Sequence, residues 1–300
     1  MKTRPAFAAV PVASPAFICL AACACLAACA AWRDAGAPVS KERSMAGKFV
    51  VADGRKLFYV ERGEGVAVVL VHGNIGSHRW WGGVMDLPGC RTVALDLPSF
   101  GLSEPLAAAD IDAYADHLEA FVAALGLERP VVVGHSLGGA VVMAMAARHP
   151  GLARAIVLVD SAAPSGLKTP EAHYQYIEMY RTDRALMRKA LASVTPAMKD
   201  EKLLDELADD AMLMAGHAFS GNARALERFN YVGRAGAFTR PVLVLWGRKD
   251  IIITEAMARE TAAAYGDARL EILEDVGHSA MAEAPAEFKR LIMQFLQNIK

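Results

Sequence analysis

From residue 131 the chain runs Val-Val-Val-Gly-His-Ser-Leu-Gly-Gly, a β-branched stretch that passes without a loop into the small-residue, helix-patterned segment Leu137 to Arg148. A strand that turns this abruptly into a helix holds its apex residue, Ser136, in strained backbone geometry, and side chains larger than hydrogen at Gly134 and Gly138 would clash. The turn lifts the serine hydroxyl to the C-terminal edge of a sheet, beside a helix N-terminus. There the Leu137 N–H and the helix dipole can hold a developing negative charge. A parallel sheet with a nucleophile exposed at its functional edge is the architecture this stretch demands.

The chain after residue 46 agrees with that demand. Continuous apolar runs at Val66 to Val71, Thr92 to Leu95, Val131 to Val133, Ala155 to Val159 and Val242 to Leu245 suit buried parallel strands, and Leu270 to Leu273 is a weaker, alternating last strand. Phe49 to Ala52 and Lys56 to Glu61 alternate around Asp53-Gly54, which predicts an opening antiparallel hairpin. Helical patterns at Ile111 to Leu125, Leu137 to Arg148, Glu255 to Tyr265 and Ala286 to Ile299 supply the crossovers that parallel strands need. The fold class is therefore α/β. From Pro164 to Phe238 the rhythm breaks: amphipathic helical stretches such as Arg184 to Ser193 and Asp200 to Met214 replace strands, so residues 164–238 read as a helical cap between core segments 49–163 and 239–300.

A serine hydroxyl needs a base. Of eight histidines, His278 follows the last strand directly in Asp275-Val276-Gly277-His278 and precedes a helix, which puts it on a loop at the functional edge. His135 adjoins the nucleophile and lines the pocket instead, while His149, His173 and His217 lie on helices or their ends. No H-x-H or H-E-x-x-H pair occurs, and no metal is inferred. Two carboxylates compete for the third role: Asp250, on the loop beyond Val242 to Leu245, is favoured over Asp160, at the end of Ala155 to Val159. Val69-Leu70-Val71-His72-Gly73-Asn74 ends another strand, and the Asn74 N–H is the expected second oxyanion donor, ahead of Ile75. Trp80 and Trp81 are candidate pocket residues, with core positions as the ordinary alternative.

The 32 basic and 33 acidic side chains nearly cancel, and no basic run interleaved with aromatics offers a nucleic-acid surface. Four of the five cysteines crowd the first thirty residues, which leaves Cys90 as a small buried hydrophobe. Lys2 and Arg4 precede a stretch from Ala6 to Ala31 without charge, the pattern of an export signal. Leu26-Ala27-Ala28-Cys29 resembles the bacterial lipobox, with Leu20-Ala21-Ala22-Cys23 as a second match. On that pattern residues 1–28 are a signal, Cys29 is lipidated, and 29–48 form a linker. The expectation is an exported protein held to a membrane by its lipid, the outer membrane in a Gram-negative host because Ala30 follows Cys29. A start at Met45 would instead give a cytoplasmic chain.

Taken together, the motifs resemble the α/β-hydrolase superfamily over residues 49 to 299, with the family's chain order of nucleophile, acid and histidine falling on Ser136, Asp250 and His278. Gly277 to Pro285 is similar to the family's histidine loop and last helix. At Asp96-Leu97-Pro98-Ser99 the family usually has glycine where this chain has Ser99, which puts the shape of that turn in question. The resemblance implies a mostly parallel eight-stranded sheet with an inserted cap. It further implies a cofactor-free serine hydrolase acting on a small or medium carboxylic ester or lactone. A C–C bond hydrolase or perhydrolase with the same triad is the alternative within the fold, and a non-catalytic binding protein the alternative outside catalysis.

Overall fold

A computed structural model describes residues 47–299. The opening hairpin pairs β1 (Lys48–Ala52) with β2 (Arg55–Arg62), one residue longer at each outer end than the alternation predicted. Its turn residues Asp53 and Gly54 both adopt positive φ, 48° and 72°, the conformation a two-residue hairpin needs to match the twist of its strands. The remaining strands are β3 (Val66–Val71), β4 (Cys90–Leu95), β5 (Val131–His135), β6 (Ala155–Val159), β7 (Val242–Gly247) and β8 (Ala268–Leu273). They form one eight-stranded sheet of order β1-β2-β4-β3-β5-β6-β7-β8. β1 and β2 run antiparallel to their neighbours, and every pairing from β4 to β8 is parallel.

Burial follows position. Every residue of β5, β6 and β7 is buried, as continuous apolar runs flanked on both faces require, whereas the edge strand β8 keeps most of its residues partly exposed. The helices α1 (Ile111–Ala124) and α2 (Leu137–Arg148) pack against each other. In α2 every residue from Leu137 to Ala146 is buried, so this helix lies inside the molecule and its small side chains permit the close approach. After β7 come α7 (Glu255–Ala263), α8 (Ala280–Glu283) and α9 (Pro285–Asn298). The single C-terminal helix expected from Ala286 is thus two pieces, with Pro285 at the first turn of the second, where its missing N–H costs nothing.

Between β6 and β7, residues 164–238 carry α3 (Tyr174–Tyr180), α4 (Arg184–Val194), α5 (Glu201–Ala211) and α6 (Ala218–Arg228). Asp183 and Asp200 cap α4 and α5 by accepting from the N–H groups of Leu186 and Leu203 at 2.9 Å each. α5 stops at Ala211, short of the Met214 its apolar pattern reached, because Met212 and the residues after it turn back on Asp209, Asp210 and Ala211. Met187 and Leu191 of α4 and Leu204 and Leu207 of α5 are buried within the main core.

Candidate active site

Ser136 stands between β5 and α2 at φ 53°, ψ −116°, a backbone conformation costly for any residue with a Cβ. The surrounding structure enforces it. The Ser136 N–H donates to Val159 O of the neighbouring strand at 3.0 Å, and a Cβ at Gly138 would collide with the carbonyls of Val71 and His72. The N-terminus of α2 therefore presses directly on the end of β3. Gly73, in the loop expected to supply the second oxyanion donor, lies against Ser136 and His135, where a Cβ would meet the Ser136 Cβ and the His135 ring. The Asn74 side chain is fixed in turn: its Oδ1 accepts from Asn222 Nδ2 of α6 at 2.8 Å, and Asn222 Oδ1 accepts from the buried hydroxyl of Tyr114 at 2.8 Å.

His278 lies on the loop between β8 and α8, with Nδ1 2.7 Å from Asp250 Oδ2. A carboxylate can only accept, so Nδ1 carries the hydrogen and Nε2 presents a bare lone pair, the tautomer a general base needs. Asp250 is itself anchored, its Oδ1 accepting from the N–H groups of Ile252 at 2.7 Å and Ile253 at 3.1 Å. Burial alone would lower the His278 pKa. The hydrogen bond and charge of Asp250 outweigh it, with smaller contributions from Asp160 and Glu283, and the net effect raises the pKa above 6.5.

Asp160 is not paired with the histidine. One of its oxygens accepts from Gly247 N at 2.8 Å, the other is buried without a partner, and burial with the nearby charge of Asp250 pushes its pKa up to about 8, against the opposing pull of His278. Through Gly247 N it joins the ends of β6 and β7.

The sequence model of the α/β hydrolase fold matches residues 66–285. This chain belongs to that family. Among curated proteins it is 31% identical to the AB hydrolase superfamily protein YisY of Bacillus subtilis, covering 80% of this chain and 94% of YisY. It is 29% identical to a 2-hydroxymuconate semialdehyde hydrolase of Pseudomonas sp., covering 83% of this chain and 93% of that protein. Among solved structures, the enol-lactonase from Burkholderia xenovorans superposes with a TM-score of 0.76 at 23% identity, covering 84% of this chain and all of that one.

In this α/β-hydrolase the cap holds the histidine loop through backbone atoms. The His278 N–H donates to Val194 O at 2.9 Å, and His278 O accepts from His135 Nε2 at 2.7 Å. Glu283 accepts from the N–H groups on either side of His278, Gly277 at 3.0 Å and Ser279 at 2.9 Å, and from Ala197 N of the cap at 2.9 Å. Nothing in the sequence marks the Val194 contact, because any residue has a carbonyl. Glu283 carried a faint sign, an acid one helical turn beyond a loop of bare N–H groups.

Ser136 and His278 line a cavity of about 250 Å³ together with Asn74, His135 and Trp80. Trp81 does not: it is fully buried against Phe288, ring centroids 6.1 Å apart, because the short helical turn His78–Val84 points successive side chains in different directions. Asp96 accepts from the His78 N–H at 2.7 Å and from Leu102 N at 3.0 Å. Ser99 takes the φ of 74° that glycine would adopt, and its carbonyl accepts from Ala215 N of the cap at 2.9 Å. Cys90 is buried in the core. Cys29 and Cys23 lie outside the described residues.

Proposed function

We propose that this α/β-hydrolase cleaves a small or medium neutral carboxylic ester or lactone through an acyl-enzyme on Ser136. The observation that carries this reading is the composition of the catalytic cavity: no Lys, Arg, Asp or Glu lines it, and aliphatic residues of the cap, among them Ile177, Leu191, Val194 and Leu226, form its wall. A neutral, compact acyl group suits such a chamber, and a charged one would lose hydration there without a partner.

Ser136 Oγ attacks the carbonyl carbon as its proton passes to His278 Nε2, and Asp250 stabilises the imidazolium that results. The oxyanion is held by the N–H groups of Leu137 and Asn74. The bond from carbonyl carbon to leaving oxygen then breaks as Nε2–H returns its proton to that oxygen. Water repeats the sequence to release the acid and regenerate Ser136. No cofactor takes part.

A second reading, hydrolysis of a C–C bond, is favoured by the kinship with the 2-hydroxymuconate semialdehyde hydrolase, whose named substrate bears a carboxylate. A cavity without a cationic side chain argues for the ester. Turnover of p-nitrophenyl esters from acetate to palmitate should peak at short or middle lengths, and Ser136→Ala should lower kcat by roughly 10⁴-fold or more while the fold persists. Near-normal turnover by that variant, or cleavage of dienoic diketones with no ester turnover, would sink the ester reading. We propose as well that Cys29 is lipidated and that the enzyme works at a bacterial membrane; the charged start, the uncharged stretch to Ala31 and the Leu-Ala-Ala-Cys sequence support this.

A further inference from the structure

A second, more open cavity of about 560 Å³ adjoins the catalytic one. The two share Leu167, Thr169, Ile177, Tyr180, Val194 and Ile252 in their walls, so an outer vestibule borders an inner chamber along these six residues. The rest of the vestibule is walled by Pro170, Tyr176 and Ile251, with Lys168 and His173 as its polar members. Ile251 is 71% exposed and Tyr176 48%, so both can change without disturbing the core.

Its side of the site assigns its occupant. The vestibule wall includes Val194, whose carbonyl takes the His278 N–H, and Ile252, whose N–H holds Asp250. The oxyanion-loop residues Gly73, Asn74 and Ile75 line the inner chamber alone. In ester cleavage the leaving oxygen must receive its proton from His278 Nε2, so the alcohol half lies on the histidine side of the scissile bond while the carbonyl oxygen points to the oxyanion loop. We propose that the vestibule is an alcohol-side subsite that takes a medium-chain alkyl or aryl group, leaving the inner chamber to a compact acyl group. This rests on the ester reading above and narrows it to short-acyl esters of bulky apolar alcohols.

The test holds the acyl group fixed and varies the alcohol, using butyrate esters of ethanol, hexanol and decanol with the full chain. In the wild type kcat/KM should rise by about tenfold or more from ethyl to decyl as apolar surface is buried in the vestibule. Tyr176→Glu and Ile251→Gln, both at exposed positions and the second adding no charge beside Asp250, should each cut the decyl-to-ethyl ratio by about three- to tenfold. Leu213→Glu, an exposed cap position outside both cavities, should keep the wild-type ratio. An undiminished ratio in the two vestibule variants overturns the subsite, as does a wild-type kcat/KM that does not rise from the ethyl to the decyl ester. Absence of turnover across every ester would instead remove the ester reading beneath the proposal, an outcome distinguished by its indifference to Tyr176 and Ile251.

Discussion

At the scale of single residues, two carboxylates sit at neighbouring strand ends and the backbone around them decides which one serves the histidine. Asp250 is turned toward His278 by the N–H groups of Ile252 and Ile253, whereas Asp160 is spent on Gly247 N and keeps its other oxygen buried without a partner. Asp250→Asn should therefore lower kcat by about 10³- to 10⁴-fold by leaving the imidazole in the wrong tautomer, and Asp160→Asn should cost far less. On the proposed mechanism His278 acts only when neutral, and its pKa is raised, so wild-type kcat/KM should fall with acidification on a limb centred above pH 6.5. In Asp250→Asn the limb should move to lower pH. Stopped assays across pH on the three proteins check both points; a larger loss in Asp160→Asn than in Asp250→Asn would move the acid to β6. Ser136 and His278 could be singled out by residue type because each follows a strand run and precedes a helix. Asp250 over Asp160 was legible only as a preference, since the choice turns on loop N–H directions that carry no side-chain signature.

At the scale of elements, the cap is joined to the core through polar contacts at fixed points. Asn222 on α6 donates to Asn74 and accepts from Tyr114 on α1, so one buried amide connects cap, oxyanion loop and core helix. Asn222→Leu should remove the partner of Asn74 Oδ1 and the acceptor of the Tyr114 hydroxyl on α6 and lower stability by about 1–3 kcal/mol. It should also reduce kcat on the order of tenfold with little change in KM, because a loosened oxyanion loop harms the transition state more than the bound ester. Thermal melts and steady-state kinetics measure the two effects; a changed KM with intact kcat would assign Asn222 to substrate binding instead. Strands and crossovers were readable from periodicity because their burial is dictated by position in the sheet. Helix ends were read less well: the break at Pro285 and the stop of α5 at Ala211 depend on local turns that an apolar stripe runs straight through.

At the scale of the whole molecule, the N-terminal sequence and the hydrolase core make separate predictions. If Cys29 carries lipid, full-length protein made in a bacterium should partition into detergent and bear acyl chains at a new N-terminus, and Cys29→Ser should abolish both. Mass spectrometry of the N-terminal peptide decides it, and an unprocessed start at Met1 or Met45 would refute it. Within the core, the grip of the cap on the histidine loop bears on how such enzymes diversify. The bonds from Val194 O to His278 N and from Ala197 N through Glu283 to Gly277 N depend on backbone atoms at the cap end. The cap can therefore change almost any of its side chains and still support the base, but it cannot shift its chain path at residues 194–197. Modular exchange of caps between relatives is then limited by a short stretch of geometry to which a comparison of amino-acid identities is blind.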